Sequence, residues 1–84
     1  MDTPESVPAL APEILVDARG HRCPVPTLKL RRALEAAPAG ARLRLLADDP
    51  LARIDVPHFL SEIGARLEGV AEAAGALNFT IVKV

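Results

Sequence analysis

The stretch Arg19-Gly20-His21-Arg22-Cys23-Pro24-Val25-Pro26 holds most of the reactive potential of this 84-residue sequence. Cys23 is its only cysteine. A thiol attacks as its thiolate, and a free cysteine, with a pKa of about 8.5, is mostly protonated near neutral pH. The proline pair reads as the first turn of a helix, where missing N–H groups cost nothing. Such a helix mouth carries unpaired amides and roughly half a positive elementary charge, which favours an anion. Arg22 is adjacent, Arg19 and His21 are close in sequence, and Arg31 and Arg32 lie further along. All of these lower a thiol pKa. The expectation is an exposed, acidified Cys23 that acts as a nucleophile. The competing reading is an inert apolar filler, the commoner fate of a lone cysteine. The Pro-x-Pro start with arginine beside it favours the reactive one.

Other constellations are thinner. His21, His58 and Cys23 lack the local spacing of a metal site, so no metal is expected. Asp48-Asp49-Pro50 contains a carboxylate pair but is foremost a turn signal.

Positioning Cys23 requires a scaffold. Residues 13–18 alternate, with Ile14 and Val16 on one face, and read as a strand that Gly20 breaks. Residues 24–37 read as a helix, with Leu30, Ala33, Leu34 and Ala37 as its core stripe. Residues 42–47 form a second strand, with Leu43, Leu45 and Ala47 facing one way. A second helix is expected from about Val56, with Asp55 as N-cap, Pro57 in the first turn, and a stripe of Val56, Phe59, Leu60, Ile63 and Leu67. Gly69 and Gly75 bracket a short strand over 70–74, although its Ala-Glu-Ala-Ala would also suit a helix. Residues 77–84 form a last strand. The order β-α-β-α-β-β predicts an α/β (α+β) two-layer sandwich: a four-stranded mixed sheet with both helices on one face. The open face would carry Arg42, Arg44, Asn78 and Thr80. Residues 1–12, with Pro4, Pro8 and Pro12, read as a flexible arm ahead of one domain over 13–84.

Composition narrows the function classes. The net charge of −1 and the absence of Trp and Tyr argue against direct nucleic-acid binding. A single cysteine cannot form an internal disulfide and fits a reducing compartment. No segment is apolar and long enough to span a membrane, and the acidic, proline-containing start is unlike a signal peptide. A cytoplasmic monomer is the simplest expectation.

Val16-Asp17-Ala18-Arg19-Gly20 followed by Cys23-Pro24-Val25-Pro26 resembles the signature of TusA-like (SirA- and YedF-related) sulfur carriers. Arg31-Arg32, Asp48-Asp49-Pro50 and Asp55-Val56-Pro57 fall at that family's spacings, so the resemblance spans Ile14 to the C-terminus. It implies that Cys23 receives sulfane sulfur as a persulfide from a cysteine desulfurase or other donor. A downstream acceptor protein then takes it, in tRNA thiolation, sulfur oxidation or molybdenum-cofactor chemistry. Asp17, Arg19, Pro24 and Pro26 would shape the loop, with His21 and Arg22 beside the thiol. Arg31, Arg32, Asp48 and Asp49 would be candidates for partner contact. His21 and Val25 depart from the family, which usually has an aliphatic residue and often a charged one there. No cofactor and no general base are apparent, so the implied role is a persulfide carrier whose partners supply much of the chemistry, in place of an autonomous enzyme. The alternative is a thiol-based redox-sensing or regulatory protein-binding module, its cysteine passing through sulfenic acid or an intermolecular disulfide.

Overall fold

The computed structural model describes residues 13–84. The arm expected over residues 1–12 lies outside the described residues. Six elements follow in order: β1 (Glu13–Asp17), α1 (Val25–Ala36), β2 (Arg42–Ala47), α2 (Ala52–Ile63), β3 (Arg66–Ala73) and β4 (Ala76–Val82). The sheet order is β1-β2-β4-β3. β1 runs parallel to β2, with Val16 opposite Leu45, and the other two pairings are antiparallel. This is the expected mixed sheet and element order.

Period-two patterning produces the sheet's two faces. Val16, Leu43, Leu45, Ala47, Leu77, Phe79 and Ile81 are buried and meet the helices. Leu30 and Leu34 of α1, with Val56, Phe59 and Leu60 of α2, close the same core from above. The opposite face is open: Leu15 is 61% exposed, and Arg42 and Arg44 pair with Glu68 and Glu13 at 3.2 and 3.3 Å.

Three expectations need correction. α2 begins at Ala52, not near Val56, so Asp55 lies in its first turn and Pro57 in its interior. The physical reason is the turn before it. Asp49 Oδ1 accepts the Leu51 amide at 3.0 Å, and the Asp49 and Pro50 carbonyls take the Ala52 and Arg53 amides, so the turn winds directly into helix. Second, the expected stripe overruns the helix. Gly64, at φ 77°, stops α2 with its amide on the Leu60 carbonyl, which leaves Ile63 45% exposed and moves Leu67 into β3. Third, β3 is longer than the segment 70–74. It takes in Gly69, where the register with β4 shifts, so that glycine sits inside the strand and does not bound it. β3 is an edge strand with little buried surface, so it lacks the alternating large apolar residues that advertise a strand.

Candidate functional site

Two loops meet at the carboxyl ends of the parallel strands β1 and β2, the usual place for ligands in an open α/β sheet. The first, between β1 and α1, carries the cysteine. The second, between β2 and α2, carries two aspartates.

Arg19 folds back on Asp17, donating its amide at 3.1 Å and its guanidinium through Nε at 2.9 Å and Nη2 at 2.8 Å. These bonds hold the Asp17 carboxyl well below the usual carboxylate range. The clasp tightens the exit from β1, and Lys29 Nζ on α1 adds a bond to the Asp17 carbonyl at 3.3 Å. Gly20, at φ 83°, makes the left-handed turn that follows. Its amide donates to both oxygens of Asp48 at 3.0 Å.

Cys23 donates its amide to Asp49 Oδ2 at 2.8 Å. The same carboxylate thus ties down the cysteine and, through Leu51, the start of α2. The Cys23 and Leu51 amides hold the Asp49 carboxyl below its ordinary value. The Cys23–Pro24 peptide is cis, and Pro26 is fully buried under the loop. Gly20, His21, Arg22, Cys23, Asp48, Asp49, Pro50 and Leu51 line one surface depression. Cys23 is half-buried there, touching the core below and open above. Neither an inert filler nor a fully exposed thiol describes it.

The acidified thiol expected from the sequence is not what this geometry produces. Burial pushes the Cys23 thiol up to about 11, and the carboxylates of Asp55 and Asp49 beside it act in the same direction. The helix mouth also offers fewer amides than the sequence argument assumed. Pro24 and Pro26 have none, the Cys23 amide serves Asp49, and the Val25 amide serves the Arg22 carbonyl at 2.9 Å. The prolines that stiffen the approach also remove the donors that would cradle an anion.

The remaining candidates divide. His21, Arg22, Asp48 and Asp49 line the depression with Cys23, and Asp48 and Asp49 spend bonds on the cysteine loop itself. Pro24 and Pro26 follow the cysteine at the start of α1, whereas Asp17 and Arg19 pair with each other at the exit of β1 and do not line the depression. Arg31 and Arg32 do not join them. Arg31 lies over the Phe59 ring, 5.6 Å from its centroid, in a separate depression with Glu35, Ile63 and Lys83. Arg32 is exposed on α1 and lines neither. Sequence reasoning missed Asp55 as a neighbour of the thiol. The sequence reads it as an N-cap, whereas it lies in the first turn of α2, and its carboxylate raises the thiol together with Asp49. Leu51 and Pro50 were missed as lining residues, although Pro50 directly follows the aspartate pair.

This geometry has relatives. A family model described as Sulfurtransferase TusA matches residues 14–83. The Sulfur carrier protein TusA of Pseudomonas putida F1 is 35% identical over 72 residues, covering 86% of this chain and 90% of the relative. A Putative sulfur carrier protein of Archaeoglobus fulgidus is 38% identical over 67 residues, covering 79% and 87%. The crystal structure of a SirA-like protein from Desulfitobacterium hafniense superposes with a TM-score of 0.72 at 30% identity, covering 82% of this chain and 95% of that one.

Proposed function

Because this chain belongs to the TusA sulfurtransferase family, we propose that it is a sulfur carrier whose Cys23 accepts sulfane sulfur as a persulfide and passes it to a partner protein. The observation that carries the assignment to Cys23 is its placement. The only cysteine of the sequence stands in an open depression at the strand ends, on a loop fixed by Asp48 and Asp49.

The chemistry is an exchange at sulfur. A donor cysteine persulfide, R–S–S⁻, presents its outer sulfur. Sγ of Cys23 bonds to that sulfur as the donor's S–S bond breaks. The products are Cys23–S–S⁻ and R–SH, the Cys23 proton ending on the donor cysteine. The acceptor reverses the step by attacking the outer sulfur. The resting thiol is a weak nucleophile, so the donor complex has to help remove its proton. A carrier that borrows its chemistry from its partners fits the sparse site. The donor is a cysteine desulfurase or another persulfide-bearing protein, and the acceptor is a downstream protein of the relay. A free thiol is a requirement of the role, which fits the reducing cytoplasm. No helix among the described residues is long and apolar enough to cross a membrane.

The test is direct. The full chain is incubated with a cysteine desulfurase and cysteine, then weighed by mass spectrometry. The wild type gains one sulfur atom, and Cys23→Ser gains none while keeping its circular dichroism spectrum. Sulfur loading in Cys23→Ser, or oxygen adducts as the only products in the wild type, would overturn the assignment. The second outcome would favour the redox-sensing alternative.

A further inference from the structure

Resting on the persulfide reading of Cys23, we propose that Asp49 is a positioning residue of the transfer: its two carboxylate oxygens take one amide from each loop and so set where Sγ stands when a persulfide arrives. Behind this lies a series of bonds between the loops. The Ala18 amide donates to the Leu46 carbonyl at 2.8 Å, the Gly20 amide to both oxygens of Asp48 at 3.0 Å, and the Cys23 amide to Asp49 Oδ2 at 2.8 Å. The second loop thus grips the first at successive points, and the last of them is the cysteine itself. Asp49 Oδ1 takes the Leu51 amide at 3.0 Å, which fastens the same carboxylate to the start of α2. On the other side of the thiol, Pro26 is fully buried. Sγ therefore hangs from a main chain anchored before and after it.

The resemblance to sulfur carriers makes Asp49 a candidate for partner contact, but each of its oxygens already accepts an amide within the chain. The charges on the surrounding elements are engaged elsewhere or face solvent. Asp48 serves Gly20, Lys29 of α1 the Asp17 carbonyl, and Arg53 of α2 pairs with Glu72, while Arg22 and His21 are exposed on the cysteine loop. Asparagine cannot replace this aspartate. It has one acceptor oxygen, and its amide nitrogen would face an N–H with nothing to accept it. Asp49→Asn keeps the size of the side chain and gives up one of the two bonds.

An exchange at sulfur demands position. Sγ bonds to the donor's outer sulfur as the donor's S–S bond breaks, and the Cys23 proton ends on the donor cysteine. No oxidant or reductant is consumed. Misplacing the attacking atom by about an ångström costs such a step about a hundredfold. Asp49 acts on Sγ through the main chain. Removing its negative charge would by itself favour the thiolate and quicken the step, so a slower step reports lost position.

Two measurements on the full chain test this. In the first, amide NMR spectra of the wild type are followed as pH falls through the carboxylate range. The Cys23 and Leu51 amide protons should move with one shared midpoint below the ordinary carboxylate value, because one carboxylate serves both. Separate midpoints, or a Cys23 amide that stays fixed, overturn the proposal. In the second, a cysteine desulfurase already charged with persulfide loads wild type and Asp49→Asn in a single turnover at varied carrier concentration. The limiting rate of the variant should fall about tenfold or more, with the half-saturating concentration unchanged. A raised half-saturating concentration at an unchanged limiting rate identifies a partner contact and overturns the proposal, as does a variant that loads like the wild type. Glutathione persulfide is run in parallel. A wild type that neither donor loads removes the persulfide reading, whereas normal loading with separate amide midpoints removes the role of Asp49 alone. Where the variant fails to fold, or only glutathione persulfide loads the wild type, the amide titration decides.

Discussion

Asp48 and Asp49 tie down the loop of a cysteine whose flanking sequence is rich in arginine. The local reading weighed neighbours along the chain, Arg19, His21 and Arg22; His21 and Arg22 line the depression with the thiol, while Arg19 is turned to Asp17. It could not weigh Asp49 and Asp55, which are 26 and 32 positions away and reach Cys23 only when the second loop folds against the first. The thiol's location was therefore legible, and its charge environment was not. A consequence for stability follows. In the unfolded chain the thiol ionises near its ordinary value of 9.0, and in the folded protein near 11. A group raised on folding contributes its full stabilisation below the unfolded value and loses it as pH climbs through the folded one. Unfolding free energy should therefore decline between about pH 9 and pH 11 in the wild type. Cys23→Ala should flatten that slope, as urea titrations across this range would show. An equal slope in the variant would assign the loss to other groups.

At the scale of elements, the strands β1, β2 and β4 were readable because each buries one face and alternates accordingly. The weaker edge, β3, was truncated, since an exposed strand has no need of that alternation. The start of α2 was misplaced because Asp48-Asp49-Pro50 signals a turn, while the side-chain bond from Asp49 to Leu51 that makes the turn a helix start is invisible without coordinates. Helix α1 shows a further device that its sequence alone does not reveal. Its last turn has no basic residue of its own, yet Lys83, just after β4, places Nζ 2.5 Å from the Leu34 carbonyl and 2.6 Å from that of Ala37. A cation from a distant strand thus satisfies the carbonyl end and its negative pole. Lys83→Met keeps the length of the stem and removes the charge. It should cost about 1–2 kcal/mol, read from chemical denaturation. A change within error would show that water replaces the ammonium at no cost.

For the molecule as a whole, a core built from one sheet face and two helices leaves little reserve, because a chain this small buries only about 60% of its unfolded surface. Phe79 is fully buried at the centre, opposite Leu45 on one side and Val70 on the other. Phe79→Ala should cost about 3–5 kcal/mol, enough to exhaust much of a small domain's stability. Thermal melting would show a large fall or no transition at all, and a drop of a few degrees would mean that the core closes over the gap. The sheet also separates its two ends by task. The thiol sits beyond Asp17 and Ala47, whereas Glu13, Arg42 and Val82 lie side by side at the far edge of the same strands. A tether joined before β1 or after β4 would leave the molecule on the side away from the cargo.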